Sequence, residues 1–147
     1  MPGAEALTGP DVPDVPGVPD VPGVRAVGID VVGIGRLRAM LERRGQPMLD
    51  RLLTPAEQAL CQGASAHHRA ACLAGRVAAK EAVRKTLGGH GAGCAWRDVE
   101  IGREPSGAPA PRLTGRAARA FENAGLSRLH LSITHEAGVA VAIAVAV

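Results

Sequence analysis

Hydrophobic positions along this chain follow two periods, and the alternating one predicts its strands. Small and β-branched residues run from position 24 to 32, which favours a short first strand. Near the C-terminus, two stretches alternate regularly enough to predict an antiparallel pair joined through residues 136–138. We expect strands at 24–32, 98–103, 111–114, 129–134 and 139–147.

The second period, 3.6 residues, predicts the helices. The first helix is expected to end at Gly45 and Pro47, because neither residue favours a helix interior. Thr54, Pro55 and Glu57 combine an N-cap, a first-turn proline and the glutamate of a capping box, which is a strong start signal. We expect helices at 34–44, 54–61, 68–87 and 115–123.

The long helix at 68–87 has two different faces. One carries small side chains, which allows another element to approach closely. Glu81 and Lys85 lie one turn apart on a different face, near Lys80 and Arg84, so we expect these charges to gather on one side. The predicted fold class is α+β, with a mixed sheet partly wrapped around this long central helix. The small residues are Ala71, Cys72, Gly75, Ala78, Ala79, Ala82 and Val83.

Residues 1–23 differ in composition from the rest of the chain. They hold six of its eleven prolines, four of them in a repeated Val-Pro triplet, a pattern that removes backbone donors and disfavours helix. We expect a disordered leader at 1–23 and one domain at 24–147. The core of that domain must use aliphatic and alanine packing, because the chain has one Phe, one Trp and no Tyr.

Charge is unevenly distributed along the chain. The net charge is +3, but four acidic residues precede Arg25, the first basic residue, so the rest carries 17 basic against 10 acidic residues, a net charge of +7. This domain should attract anions, which leaves nucleic acid, an acidic protein and a phosphorylated small molecule as candidate partners. Three widely spaced cysteines, no signal sequence and no apolar run of membrane-spanning length predict a cytoplasmic protein that does not enter a membrane.

Two carboxylates and one imidazole are candidates for chemistry. Asp30 lies within an apolar strand, where a metal ion, an arginine or backbone amides must compensate its charge. Glu81 lies on the long helix, and one strand carboxylate with one helix carboxylate suits Mg²⁺, which completes its shell with phosphate and water. The alternative for both residues is an ordinary salt bridge. His135, at a predicted strand end, is either a catalytic group or a hydrogen-bonded structural residue.

A series of short motifs occurs in a definite order along residues 24–147. Together they resemble the holo-[acyl-carrier-protein] synthase family, the short bacterial 4′-phosphopantetheinyl transferases, although no one motif would suffice. The chain departs from the family pattern at Gly33, where an acidic residue is usual, and at Val77, where a large aromatic is common. The motifs are Gly28-Ile29-Asp30, Arg36, Leu53-Thr54-x-x-Glu57, Gly75-Arg76-x-Ala78-Ala79-Lys80-Glu81 with Lys85, Gly107-x-Pro109 and Ser132-x-Thr134-His135.

The resemblance implies a reaction. A family member transfers 4′-phosphopantetheine from coenzyme A to a serine of an apo acyl carrier protein and releases 3′,5′-ADP. Asp30 and Glu81 would hold the cofactor Mg²⁺, and Glu81, Lys85 and His135 would be catalytic. The serine proton would pass to a metal-bound water, to Glu81 or to Glu57. Coenzyme A contacts would come from Arg76, Lys80, Lys85, Ser132, Thr134 and His135.

The resemblance also implies an assembly and a docking surface. Family members are homotrimers with active sites between subunits. Arg36 and Arg43, seven residues apart on one helix face, match positions that dock the acidic carrier protein.

Two other classes of function compete with the transferase. A non-enzymatic basic module would bind an acidic protein or nucleic acid, but the shortage of stacking aromatics argues against nucleic acid. In the second class, a coenzyme A thioester hydrolase, the paired carboxylates of Asp30 and Glu81 would have no evident catalytic role.

Overall fold

Residues 23–63 and 65–147 are described by the structure, a computed structural model, so the predicted leader lies almost wholly outside the described residues. Two short 3₁₀ turns lie at Gly88–Gly91 and Trp96–Asp98. The strands are β1 (Ala26–Gly33), β2 (Val99–Arg103), β3 (Pro109–Leu113), β4 (Leu129–Glu136) and β5 (Val139–Ala146). The helices are α1 (Ile34–Leu52), α2 (Pro55–Leu60), α3 (Ala66–Thr86) and α4 (Gly115–Asn123).

Each predicted strand and helix is present, and the largest difference concerns α1. The predicted end of the first helical segment at Gly45 is confirmed by a break in helical geometry there, but a second segment that was not predicted follows at once and continues α1 to Leu52. Gly45 interrupts the helix with φ 63° and ψ −152°, values open to glycine. Pro47 then falls in the first turn of the resumed segment, where its missing N–H is no loss.

The strands form two separate antiparallel sheets, so the single mixed sheet that we predicted is wrong. One sheet has the order β1-β5-β4, and β2 and β3 form a hairpin. Asp30 on β1 lies opposite Ala142 of β5, which in turn lies opposite Ile133 of β4. The β4–β5 connection is a two-residue turn in which Ala137 and Gly138 both have positive φ, as a tight hairpin requires.

Helix α3 packs against β1 and β5 through its small residues. Ala78, Ala79 and Ala82 are fully buried there. At Gly28 the strand comes so close that an added Cβ would overlap the carbonyl oxygen of Ala82 and lie 2.9 Å from its carbonyl carbon. Alanine and glycine therefore bring β1 onto α3 almost backbone to backbone, which sets the position of Asp30 two residues later.

Candidate active site

The first group of candidate residues lies where β1 crosses α3. Asp30 Oδ1 accepts a hydrogen bond from Lys85 Nζ at 3.0 Å. The same ammonium donates to the carbonyl oxygen of Ile29 at 2.7 Å. The Asp30 side chain is 21% exposed, so a ligand can reach it. Among the described residues, the positive charge that compensates the Asp30 carboxylate is therefore that of Lys85, itself a candidate site residue.

Glu81 adds a second carboxylate one helical turn before Lys85. Its Oε1 accepts a hydrogen bond from Arg84 Nη1 at 3.3 Å, and its side chain is 32% exposed. The Arg84 guanidinium in turn lies over the Trp96 ring, 5.1 Å from the centroid, a cation–π contact that fixes the arginine. Glu81 therefore lies one turn along α3 from the lysine that binds Asp30, with Arg84 as its own partner.

The chemistry of this donor set fits a hard divalent cation. Asp30 and Glu81 offer partly accessible carboxylate oxygens, one paired with the exposed Lys85 and the other with the partly buried Arg84, and carboxylates are what Mg²⁺ prefers. Within residues 23–63 and 65–147, no group of three or more His, Cys, Asp or Glu side chains could hold a metal. A cation between these two acids would therefore take its remaining ligands from water or from the phosphates of a substrate.

Arg76 and His135 meet in a different place, a cleft of about 280 Å³ between α3, β4 and the β2–β3 hairpin. Arg76 is 5% exposed, and its Nε has no hydrogen-bond partner among the described residues. A buried guanidinium with an unused donor in a cleft wall is suited to an anionic ligand. The other polar or close-approach positions in the lining are His68, Cys72, Gly75, Arg103, Gly107 and Pro109.

Ser132 and Thr134 do not join His135 in that cleft. Successive residues of a strand point to opposite faces, so Ile133 and His135 line the cleft while Ser132 and Thr134 are exposed on the outer face of the sheet. Ser132 lies opposite Ile143 of β5 on that outer face. Although Ser132, Thr134 and His135 are close in sequence, they therefore lie on two different surfaces of the sheet.

Lys80 occupies a third environment, away from the other charges of α3. Its ammonium is fully buried and donates to Glu57 Oε2 at 2.8 Å and to the carbonyl oxygen of Trp96 at 3.1 Å. Burial lowers the pKa of Lys80, and the Glu57 carboxylate opposes that shift. The prediction that it shares a charged face with Glu81 is wrong, and the arrangement does not support direct contact between Lys80 and coenzyme A.

Glu57 completes this buried ion pair and ties three elements together. Its Oε1 accepts from the backbone N–H of Ile101 at 2.7 Å, and its Oε2 also accepts from the backbone N–H of Thr54 at 2.8 Å. The predicted capping box at Thr54 and Glu57 is confirmed. The glutamate thus caps α2 while it bonds α3 through Lys80 and β2 through Ile101.

Arg36 and Arg43 lie exposed along α1, two turns apart on one face. Beside them is an open groove with a partly apolar floor and basic edges, which borders the kink of the helix. Together the helix and the groove form a basic surface with hydrophobic contacts available. The groove residues are Met40, Arg44, Pro47, Met48, Arg51 and Trp96.

The two candidate clusters lie apart within one chain. Strand β5 separates β1, which carries Asp30, from β4, which carries His135, a spacing of roughly 10 Å across two strand intervals. Along α3, Arg76 and Lys85 are nine residues or roughly 14 Å apart. The structure therefore brings Asp30 and Lys85 into contact near the C-terminal end of α3, one turn after Glu81, and it places Arg76 and His135 in a cleft nearer the other end.

Sequence reasoning missed several residues of the cleft. His68, Cys72 and Arg103 line it, yet none belongs to a motif that we had singled out as chemical. One signal was available, because Cys72 precedes Arg76 by four residues and so shares its helix face. Arg103 comes from the hairpin, and nothing local in the sequence connects it to α3.

Comparison with known proteins identifies the family. Residues 26–144 match the family model for the 4′-phosphopantetheinyl transferase superfamily. A holo-[acyl-carrier-protein] synthase from Desulforudis audaxviator is 45% identical over 124 residues, covering 84% of this chain and 93% of that protein. The chain therefore belongs to the 4′-phosphopantetheinyl transferase superfamily, as the motifs predicted.

Solved structures agree with this placement. The holo-[acyl-carrier-protein] synthase from Neisseria meningitidis superposes with a TM-score of 0.73 at 29% identity, over 84% of this chain and 98% of that one. The Helicobacter pylori synthase, solved in complex with coenzyme A, gives a TM-score of 0.69 at 30% identity, over 82% and 99%. Among the residues described, no helix has the length and apolar character needed to cross a membrane.

Proposed function

We propose that this chain is a holo-[acyl-carrier-protein] synthase that transfers 4′-phosphopantetheine from coenzyme A to a serine of an apo acyl carrier protein. The observation that carries the proposal is the cluster of Asp30, Glu81 and Lys85, which offers two accessible carboxylates and a lysine in a chain of this superfamily. The relatives named as holo-[acyl-carrier-protein] synthases and the Helicobacter pylori complex with coenzyme A support the substrates. We place the reaction in the cytoplasm and assign the activity to residues 24–147.

Asp30 and Glu81 would hold Mg²⁺ in this proposal. The bound ion would neutralise charge on the pyrophosphate of coenzyme A during phosphoryl transfer. Lys85 is positioned by Asp30 and the carbonyl of Ile29, so its ammonium is available to the departing 3′,5′-ADP. The carrier serine attacks the phosphorus bound to pantetheine, the bridging P–O bond breaks, and the serine proton leaves to a base.

The buried position of Glu57 argues against this residue as the base that accepts the serine proton. Its carboxylate is fully buried, pairs with Lys80 and accepts two backbone hydrogen bonds. It can neither reach a serine nor gain a proton without losing those interactions. Glu81 or a water activated beside it remains for the role.

Arg76 and His135 would bind an anionic part of coenzyme A. Arg76 lines the cleft with a buried guanidinium whose Nε has no partner among the described residues, and His135 lines the same cleft from β4. Because this cleft lies roughly 10 Å or more from the carboxylate cluster in one chain, a second subunit is the simplest way to complete one site from both clusters. Ser132 and Thr134, on the outer face of the sheet, would then act at the contact between subunits.

That outer face is also the proposed trimer interface. Val27, Ile29 and Val31 of β1 are more than half exposed, and Ile143 beside them on β5 is 40% exposed. A row of exposed β-branched residues on a paired sheet favours coverage by another chain. This apolar row continues to Ser132 on β4, which lies opposite Ile143. The chain that covers it would be another copy of this protein, in the homotrimer that the family resemblance implies.

Ile143→Arg should convert the trimer to monomers, because three guanidinium groups would be buried without partners. Sedimentation velocity measures the change directly. Leu60→Arg makes the same substitution at a comparably exposed position on α2 and should leave the mass unchanged. A trimer that survives Ile143→Arg would place the interface elsewhere.

Arg36→Glu should raise the KM for the acyl carrier protein by about tenfold with little change in kcat, since the basic face of α1 would steer and dock an acidic partner. The matched control is Arg119→Glu, which makes the same change of charge at an exposed position of α4. Initial rates at two salt concentrations separate the two variants, because the wild-type KM should rise with salt and that of Arg36→Glu should rise less. Equal effects of the two variants would contradict docking through α1.

The proposed function is tested by incubating an apo acyl carrier protein with the chain, coenzyme A and Mg²⁺ and weighing the carrier by mass spectrometry. A gain of one phosphopantetheine at the carrier serine is expected, and a chelator should prevent it. Binding of the carrier without any gain of mass, with several carriers, would favour the basic binding module instead.

A further inference from the structure

Cys72 has an uncommon environment for a thiol in a cleft wall. Arg76 Nη1 donates a hydrogen bond to Cys72 Sγ at 2.9 Å, and in its protonated form Cys72 Sγ donates to the carbonyl oxygen of Leu60 at 3.7 Å. The side chain is only partly buried and lines the 280 Å³ cleft. A small molecule in the cleft can therefore reach the sulfur.

The buried guanidinium makes the site more than a solitary cysteine. Arg76 is 5% exposed, and its Nε has no acceptor among the described residues, so the hydrogen bond to Cys72 Sγ compensates a charge that water barely reaches. A nearby fixed cation favours the thiolate over the thiol. The cation and the sulfur therefore stabilise each other at the edge of an accessible cleft.

A second thiol, Cys61, belongs to the buried cluster against which Cys72 packs. Cys61 ends α2 and is fully buried, and its neighbour Leu60 supplies the carbonyl oxygen near Cys72. A hydrogen bond from Cys61, aided by the charge of Arg76, lowers the pKa of Cys72 to about 6 against the opposing effect of burial. The same hydrogen bond and burial raise the pKa of Cys61. The two cysteines are thus shifted in opposite directions, Cys72 toward the thiolate and Cys61 toward the thiol.

We propose that Cys72 is a covalent modification site that reacts with low-molecular-weight disulfides and passes the oxidation to Cys61. The Cys72 thiolate attacks one sulfur of a disulfide RSSR, which breaks the S–S bond, releases RS⁻ and leaves a mixed disulfide on Cys72. Cys61 then loses its proton, attacks Cys72 Sγ and expels the second RS⁻. The two cysteines end as an internal disulfide, and RSSR ends as two thiols after each RS⁻ takes a proton.

The product would change the cleft. In the internal disulfide Cys72 no longer carries negative charge, so the Arg76 guanidinium loses the anion that faces Nη1. If coenzyme A binds this cleft, as the proposed function holds, oxidation at Cys72 would alter that subsite, and bulk added to Cys72 would obstruct it. The thiol chemistry itself does not depend on the proposed function.

The first test measures the rates at which iodoacetamide labels each cysteine of the reduced full-length chain, by peptide mapping across pH 5 to 9. At pH 6, Cys72 should react at least about tenfold faster than Cys94, because Cys72 is already substantially thiolate at that pH and is only partly buried. Cys94, buried in the other part of the core, is the internal reference. The rate at Cys72 should level off above about pH 7, as expected from a pKa of about 6. Equal labelling of Cys72 and Cys94, or a Cys72 rate that keeps rising to pH 9, would overturn the proposal.

The second test exposes the reduced chain to glutathione disulfide and identifies the products by mass spectrometry. The wild-type chain should lose two thiol hydrogens and yield a peptide linked between Cys61 and Cys72, so the result does not depend on the folding of any variant. Cys61→Ser should retain glutathione on Cys72, and Cys94→Ser should behave as wild type. The proposal would be overturned if glutathione persisted on Cys72 in the wild-type chain or attached first to another cysteine. Phosphopantetheine transfer is not part of either readout, so failure here and failure of the proposed function are distinguishable.

Discussion

Glu81→Gln should reduce phosphopantetheine transfer by about a thousandfold and leave the fold intact. The glutamine keeps the size of the side chain but removes the charge that would hold Mg²⁺, and electrostatic groups at a transferring phosphoryl carry large shares of the rate. The stability cost is small, because the side chain is 32% exposed and loses only a surface contact with Arg84. Steady-state rates with saturating carrier protein and a urea unfolding curve measure the two quantities.

Asp30→Asn should have a similar effect on the rate, since it removes the other proposed metal carboxylate. Glu122→Gln, at an exposed position on α4, is the matched control and should keep wild-type activity. Near-normal rates for both Asp30→Asn and Glu81→Gln, with magnesium dependence unchanged, would show that these acids serve only as salt-bridge partners.

Lys80→Met should lower the free energy of unfolding by about 3–5 kcal/mol, because it leaves the Glu57 carboxylate buried without its cation. Methionine preserves most of the volume, so the loss of charge dominates over the loss of packing. Urea denaturation followed by circular dichroism measures the effect as a lower midpoint. Lys85→Met is the control on the same helix, and it should cost far less because Lys85 is half exposed.

A double variant separates the charge from the other contacts of this pair. Glu57→Gln combined with Lys80→Met removes both charges and leaves an amide oxygen to accept one backbone hydrogen bond, so it should be more stable than Lys80→Met alone. A double variant less stable than Lys80→Met would mean that the hydrogen bonds of Glu57 to Thr54 and Ile101, rather than its pairing with Lys80, dominate.

Local signals in the sequence predicted the helices and strands well. The capping box at Thr54 and Glu57 is complete within four residues, and the turn before β5 needs only the two residues Ala137 and Gly138. These features depend on hydrogen bonds between near neighbours, which a short stretch of sequence already contains. The extension of α1 was missed because the same glycine and proline that end a helix can also join two helices when the second begins at once.

Long-range pairings could not be predicted in the same way. Lys80 and Glu81 are adjacent in sequence, yet one is buried against Glu57 and the other faces solvent. Helical periodicity gives the angle between these two side chains around the helix axis. It does not reveal that Lys80 is the one that faces the core, because its partner Glu57 lies 23 residues away in sequence. The division of the strands into two sheets likewise depends on which edges meet, and the alternation within each strand says nothing of that.

Sequence motifs predicted some features of the candidate site and not others. The order of motifs identified the superfamily, and the structure brings Asp30 and Lys85 into contact across 55 residues. Alternation along β4 would have predicted that His135 and Thr134 point to opposite faces, but the motif was treated as one unit. The placement of Arg76 and His135 away from Asp30 is a property of the strand order β1-β5-β4, which no local pattern contains.

The close approach at Gly28 has a consequence for how this enzyme family can vary. Main-chain atoms, with no intervening side chain, fix the separation of β1 from α3, because any Cβ at Gly28 would strike Ala82 and come within 3.1 Å of Lys85 Cβ. Mutations that swell or shrink the rest of the interior would leave that separation nearly constant. The geometry around Asp30 is therefore little affected by substitutions elsewhere in the core, and the surrounding sequence is free to diverge while the candidate site keeps its dimensions.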